Sequence, residues 1–404
     1  MPLSLIRKAI RIQNQRGTGA LVRTAYNYWT PRILRRRPGA LNPVLYALAF
    51  DWRHRPRPQK ILKQKLDLDR LTINWVIPTV GAGGGHLNIF RFVQYLQSRG
   101  HEQRIYEMTV DRPPRNSSNE VKALIKDLYG LEVQEVSLDF EDMQPADITF
   151  ATSWHTAYPA FKFGETRQAF YFVQDFEPLF AAAGTESALM ANTYRFGFCG
   201  ITAGPWLSHK LCKEFGMECH HYNLAVDHQT YYPQYRQREK KIFFYARPVT
   251  PRRGFDLGVR ALQIFHEQNP DYSIVFAGGD TQGRRIELPA TNVGYLDEPS
   301  LNDLYNQCAA ALVISLTNCS LLPLDIMATG CPLVTNAGDN TEMVLPPDSA
   351  IYAIPSPNHL AEALEKVVRE PPPQERFMKA ASLFSWEEET EKVEAIIKHK
   401  LEAT

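Results

Sequence analysis

Short apolar runs alternate with helix-patterned stretches along most of this chain, and each run ends in glycine, proline or polar residues. Such alternation points to parallel sheets, because two strands running the same way need a long crossover between them, usually a helix. The sharpest instance is Ile242 to Phe255. Ile242-Phe243-Phe244-Tyr245-Ala246 reads as a buried strand, after which the chain turns through Arg247, Pro248, Pro251, Arg252, Arg253 and Gly254. Leu257, Val259, Ala261, Leu262 and Phe265 then follow a helical pattern. The arginines therefore stand at the carboxyl end of a strand, the edge at which open α/β sheets bind ligands. Guanidinium groups stay charged and grip phosphate oxygens through paired hydrogen bonds. The stretch reads either as a diphosphate grip or as a solvated basic loop.

An earlier block repeats the pattern. Thr72 to Pro78 reads as a strand, followed by Gly81-Ala82-Gly83-Gly84-Gly85-His86 and a helix carrying Ile89, Phe90, Phe92, Val93 and Leu96. Glycines admit a ligand to the main chain, and a helix N-terminus offers free N–H groups to an anion. The loop is not a Walker A motif, since no Lys-Ser/Thr follows, and His86 stands where a dinucleotide fingerprint has its third glycine. Further strands are expected at 104–108, 132–136, 147–152 and 169–173. The last two end in Ser153-Trp154-His155-Thr156 and Gln174-Asp175-Phe176-Glu177-Pro178. His155 reads as a structural histidine or a cleft residue, and Asp175 with Glu177 as a helix-start acidic pair or as site carboxylates.

A chain of 404 residues exceeds one ordinary core and implies two domains. The expected division is a basic arm and linker over 1–66, a first domain over 67–228, a hinge over 229–241, a second domain over 242–384 and a final helix over 385–404. Ser385 is the expected cap of that helix, with Glu388 completing the capping box. Lys+Arg 45 against Asp+Glu 44 gives no net pull toward nucleic acid. Six cysteines without a CxxC pair read as thiols in a reducing compartment. No long apolar run or signal-peptide core is present, so a cytoplasmic location is expected. Residues 1–50 contain no acidic side chain, but include nine basic ones between Arg7 and Arg37, along with Tyr26, Tyr28 and Trp29. Such an arm either rests on an anionic membrane face, at about 1 kcal/mol per basic residue, or is a disordered or loosely packed basic arm, wrapped or not on the protein itself.

Four stretches resemble glycosyltransferase family 4, the large retaining group with the GT-B fold. They are Gly83-Gly84-Gly85; Asn223-Leu224-Ala225-Val226-Asp227 with Tyr232-Pro233; Ala246-Arg247 through Arg253-Gly254; and Leu322-Pro323-Leu324-Asp325-Ile326-Met327-Ala328-Thr329-Gly330-Cys331-Pro332 with Gly338 and Glu342. The glycine loop together with Gln174 to Pro178 resembles more narrowly the rhamnosyltransferase branch of surface-glycan biosynthesis. The resemblance implies two Rossmann-like domains facing a central cleft, with a C-terminal helix returning toward the first. It also implies a nucleotide-diphosphate sugar as donor, a glycan or lipid-linked acceptor, transfer with retention, and no cofactor or metal. The donor-binding residues it implies are Gly84, Gly85, Arg247, Arg253, Gly278, Leu322, Asp325, Asn336 and Glu342. Asp175, His155 and Asp325 are the catalytic candidates.

Two departures accompany the resemblance. The family's E-x7-E reads here as Thr317-x7-Asp325, so position 317 offers no carboxylate, and the histidine near the first-domain Glu-Pro is absent. Asp175 or His155 is the expected substitute. The rival readings are a non-catalytic nucleotide-sugar or glycan-binding GT-B protein and a nicotinamide-dependent oxidoreductase. The broken glycine fingerprint, and Glu107 lying inside a strand rather than closing it, speak against the oxidoreductase.

Overall fold

The computed structural model describes residues 41–53, 56, 58, 60–110, 115, 117–234 and 237–403. Residues 1–40 of the basic arm, and His54, Arg55 and Arg57 of the linker expected at His54–Pro58, fall outside the described residues. Seven strands build the first sheet: β1 (Thr72–Pro78), β2 (Glu102–Met108), β3 (Glu135–Ser137), β4 (Ala146–Ala151), β5 (Thr166–Val173), β6 (Cys199–Ala203) and β7 (Cys219–Tyr222). Their order is β3-β2-β1-β4-β5-β6-β7, and every pair is parallel. Six more strands build the second: β8 (Glu239–Tyr245), β9 (Ser273–Ala277), β10 (Ala290–Asn292), β11 (Cys308–Val313), β12 (Leu333–Asn336) and β13 (Ile351–Ala353). Their order is β10-β9-β8-β11-β12-β13, again parallel throughout.

Parallel sheets carry helices on both faces, so their central strands are apolar along their whole length. Accordingly β4 is buried at every position, and β1 at all but its two ends. Aromatic rings fill the first core: Trp75 stacks on Phe150 with ring centres 4.2 Å apart, and Phe172 meets both Phe92 and Tyr222. Several of the polar groups caught inside are paired. Trp75 Nε1 donates to Gln103 at 2.8 Å, Asn74 Nδ2 donates to the Gln144 carbonyl at 2.8 Å, and Val80 N donates to Glu107 at 3.0 Å.

Strand order reverses between β1 and β4 in one sheet and between β8 and β11 in the other. A crevice opens outside the carboxyl ends at such switch points. The glycine loop and His155 follow β1 and β4, while the arginine stretch and Ser315–Asn318 follow β8 and β11. β8 begins at Glu239, inside the stretch expected to be hinge. Glu239 pairs with Cys308 of β11 and Lys241 with Ser273 of β9 there, and Lys241 lies 2.8 Å from Glu239. β3 in turn begins at Glu135 rather than at Glu132.

The final helix, Trp386–Glu402, is capped as expected: Ser385 Oγ accepts from Glu388 N at 3.2 Å. It returns to the first domain. Glu389 accepts from Asn223 N and Nδ2, each at 2.8 Å. Glu394 meets Arg99 at 3.2 Å and His101 at 3.3 Å, and the Arg91 guanidinium lies 4.5 Å above the Trp386 ring. Glu389 is buried, so Glu389→Ala leaves two donors of Asn223 without a partner. The substitution is expected to cost roughly 1–3 kcal/mol, read as a lower urea midpoint.

Candidate active site at the facing strand ends

The arginine stretch is shaped by its turn. Thr250 N donates to Arg247 O at 3.0 Å and Arg253 N to Thr250 O at 2.9 Å, closing a short 3-10 turn. Gly254 follows with φ +57, and a Cβ there would lie 2.6 Å from Ile314 Cγ2, so both the conformation and the space require glycine. The helix Phe255–Gln268 starts at once. Leu316 N donates to Arg252 O at 2.9 Å, which ties the turn to the loop after β11.

That loop is braced from several sides. Ser315 N donates to Asn336 Oδ1 at 2.8 Å, Asn340 Nδ2 donates to the carbonyls of Ser315 and Thr317, and Arg253 donates to Ser315 Oγ. Arg247 lies beside Gly278, with its guanidinium 5.7 Å from the Tyr295 ring centre. Gly278 has φ +109, and a Cβ there would meet the Tyr245 ring at 2.6 Å. Arg252 rests 4.2 Å over Phe180 and 3.4 Å from Asp175. Burial lowers the Arg252 pKa, and the neighbouring Arg253 and Arg247 charges lower it further. Among the described residues, Arg247 and Arg253 have no carboxylate within ion-pair distance. Three guanidinium groups thus share one paired carboxylate, an arrangement suited to an anion.

The first domain supplies the opposite wall. Gly84 opens the helix Gly84–Ser98, and nothing lies within 4 Å of where its Cβ would be. Gly85 O accepts from Gln174 Nε2 at 2.9 Å. Asp175, next in the chain, reaches the second domain: Oδ1 accepts from Asn318 N at 2.8 Å and Oδ2 from Thr317 Oγ1 at 2.9 Å. The Asn318 amide donates to the carbonyls of Gln174 at 2.9 Å and Ala203 at 2.8 Å. Burial pushes the Asp175 carboxyl upward, while the Asn318 N–H, Arg253, Arg252 and Thr317 pull it back. Glu177 accepts from Tyr171 OH at 2.7 Å and is pushed up to about 8, chiefly by burial.

The structure therefore brings Gly84, Gly85, Asp175, Arg247, Arg253, Gly278 and Asn336 into one region. Glu342 sits exposed at its edge, accepting from Gly338 N at 2.8 Å. His155 stands apart on Ser153 Oγ at 3.2 Å, pushed down to about 3 by burial, so it is neutral at pH 7. Asp325 also stands apart. It lies one turn into the helix that Leu322 opens and is pushed up to about 8 by burial, with Arg91 opposing and Glu298 and Asp227 reinforcing the shift. Sequence reasoning did not single out Asn318, Arg91 or Asn340. Arg252 had a signal, as the neighbour of Arg253, whereas the partners of Asn318 lie 144 and 115 residues away.

Among the described residues, Cys199, Glu218 and His220 could hold a metal, with ligand atoms within 4.8 Å of one another. They lie at the amino ends of β6 and β7, away from the cleft, and Lys400 Nζ already sits 2.8 Å from both Glu218 oxygens. No helix among the described residues is long and apolar enough to cross a membrane.

Comparison with solved structures decides the architecture. The chain is similar to sucrose-phosphate synthase from Thermosynechococcus elongatus, with TM-score 0.64 and 14% identity over 82% of this chain and 100% of that one. The fold is GT-B. Similar GT-B structures include HepE from Anabaena in complex with UDP-glucose (TM-score 0.62, 14% identity, 83% of this chain and 100% of that one). Another is WaaG, a glycosyltransferase involved in lipopolysaccharide biosynthesis (TM-score 0.58, 13% identity, 80% of this chain and 99% of that one). Residues 240–365, within the second GT-B domain, match the family described as WsaF, C-terminal domain. The chain is 32% identical over 338 residues to the O-antigen biosynthesis protein RfbC of Myxococcus xanthus. That match takes in 80% of this chain, and the chain spans only 26% of the relative's length.

Glu177 gives this first GT-B domain a pH dependence. The unfolded chain ionises at the ordinary 4.5, while the folded chain holds the proton to about 8. Ionisation thus favours unfolding across that window, and stability falls as pH rises from 4.5 to 8. Glu177→Gln is expected to stabilise the protein by about 1–3 kcal/mol at pH 8 and to be neutral at pH 4.5, as read from melts at both.

Proposed function

We propose that the protein is a glycosyltransferase that moves a sugar from a nucleotide diphosphate to a surface-glycan acceptor. The observation that carries this reading is the group of Arg247, Arg252 and Arg253 at the β8–β11 switch point. They share one paired carboxylate, Asp175, whose neighbour Gln174 is bonded to the glycine-opened helix of the first domain. A diphosphate leaving group gains charge as the glycosidic bond breaks. Preorganised guanidinium donors strengthen with that charge, each contributing roughly 1.5–3 kcal/mol, and so favour the transition state over the ground state. The same donors supply the positive charge that a divalent cation would otherwise bring, so the reading includes metal-independent transfer.

The comparisons support the reading by their own descriptions: RfbC is an O-antigen biosynthesis protein, WaaG acts in lipopolysaccharide biosynthesis, and the HepE structure holds UDP-glucose. The finer parts of the proposal come from the resemblance of the motifs. They are membership of glycosyltransferase family 4, a deoxyhexose such as rhamnose as the sugar, retention of configuration, a lipid-linked or polysaccharide acceptor, and a cytoplasmic enzyme held at the membrane face by its basic arm. In this scheme the acceptor attacks from the leaving-group face, and the departing phosphate helps to take its proton.

Calorimetry with a panel of nucleotide diphosphates and their sugars, dTDP-rhamnose included, tests the site. One nucleotide is expected to bind, and EDTA is expected to leave both binding and transfer unchanged. Arg247→Ala and Arg253→Ala should each weaken nucleotide-diphosphate binding ten- to a hundredfold, about 1.4 kcal/mol per factor of ten, without unfolding the protein. Unaltered binding in both variants sinks the grip. Binding without transfer or donor hydrolysis favours the non-catalytic reading instead.

A further inference from the structure

Asp175 is the most heavily bonded side chain crossing the cleft. An ionised carboxylate has about four acceptor positions. Oδ1 accepts from Phe176 N and Asn318 N, each at 2.8 Å, and Oδ2 accepts from Thr317 Oγ1 at 2.9 Å. The remaining position, on Oδ2, carries no hydrogen bond: Arg252 Nε lies 3.4 Å away, at ion-pair distance but outside hydrogen-bond geometry. At this point the second domain offers a hydroxyl and an amide, both donors. The first domain provides the carboxylate that meets them.

The contact exists only when the domains are together. Thr317 and Asn318 belong to the loop after β11, and Asp175 to the end of β5 in the other sheet. Arg253 braces that loop through Ser315 Oγ, so the diphosphate grip and the seat of Asp175 share a scaffold. The Arg252 guanidinium, between Phe180 and Asp175, connects the two directly. The open position on Asp175 therefore lies beside the arginines, where the group attached to a bound diphosphate must sit.

We propose that Thr317 and Asn318 are positioning residues that seat Asp175 at the donor site when the domains close, leaving its one open acceptor position for a hydroxyl of the donor sugar. The proposal rests on the glycosyltransferase reading. It makes closure and completion of the sugar site a single event, so that an open molecule has the arginines but lacks the carboxylate.

The test uses the full chain with Thr317→Val, Thr317→Ser and Asp175→Ala. Thr317→Val should lower kcat about tenfold while the KM for the donor stays within about twofold, and Thr317→Ser, which keeps the hydroxyl, should restore the rate. The hydroxyl hydrogen bond favours the ionised carboxylate, so Thr317→Val should also move the acidic limb of the kcat profile to higher pH. The charged and titratable groups facing Asp175 are Arg252, Arg253, Glu177, Tyr194 and Cys319, and none of them is altered by these substitutions at position 317. Equal kcat values and pH limbs in the valine and serine variants overturn the positioning role. Small-angle scattering without any nucleotide supplies a second readout that needs no turnover. Asp175→Ala is expected to increase the radius of gyration relative to wild type, and equal radii overturn seating by closure. Absence of transfer by the wild type with every sugar nucleotide tried would instead reject the glycosyltransferase reading, and scattering would still decide the contact.

Discussion

Asn318 directs its side-chain amide at two main-chain carbonyls of the opposite domain, Gln174 and Ala203, while its own N–H holds Asp175. Those carbonyls lie just past the end of β5 and at the end of β6, where ladder pairing runs out and a backbone acceptor would otherwise need water. One residue thus caps two strands of a sheet to which it does not belong. The position of the arginines follows from this contact, since the loop that carries Asn318 also bonds Arg252 O and Arg253. Loosening this loop would lose the alignment of both walls together.

Charge is arranged in two zones. On the β8 side three guanidinium groups gather and one carboxylate answers them. On the hinge side the ratio reverses: Arg91 faces Asp325, Asp227 and Glu298, and burial pushes Asp325 up to about 8. Burial neutralises two further groups, His155 pushed down to about 3 and Glu177 pushed up to about 8.

The elements most legible in the sequence were those whose signal is local. The runs at 72–78 and 242–246 are apolar because both faces are covered, and Ser385 with Glu388 spells its cap in four letters. The arginine turn was readable because proline and glycine fix its backbone. The start of β8 was less so: Glu239, Lys240 and Lys241 are charged, and only the ladder with β11 and β9 makes them strand. Asp175 was readable as a polar residue at a strand end, but not as the partner of Thr317, 142 residues later. Asp325 was grouped with the arginines by its motif, whereas the fold turns it toward Arg91. Which side chains meet across two sheets depends on how the domains close, and no spacing along the chain records that.

The chain passes between the two domains twice, once after Tyr222 and again before Trp386. Asn223, where the first crossing begins, is bonded through both its main-chain and side-chain nitrogens to Glu389, just past the second. The two crossings are thus riveted together at one point. A body held by a single strand can swing and twist in any direction, whereas one held by two strands pinned side by side folds like a book about its spine. A joint of that kind favours opening and shutting over twist.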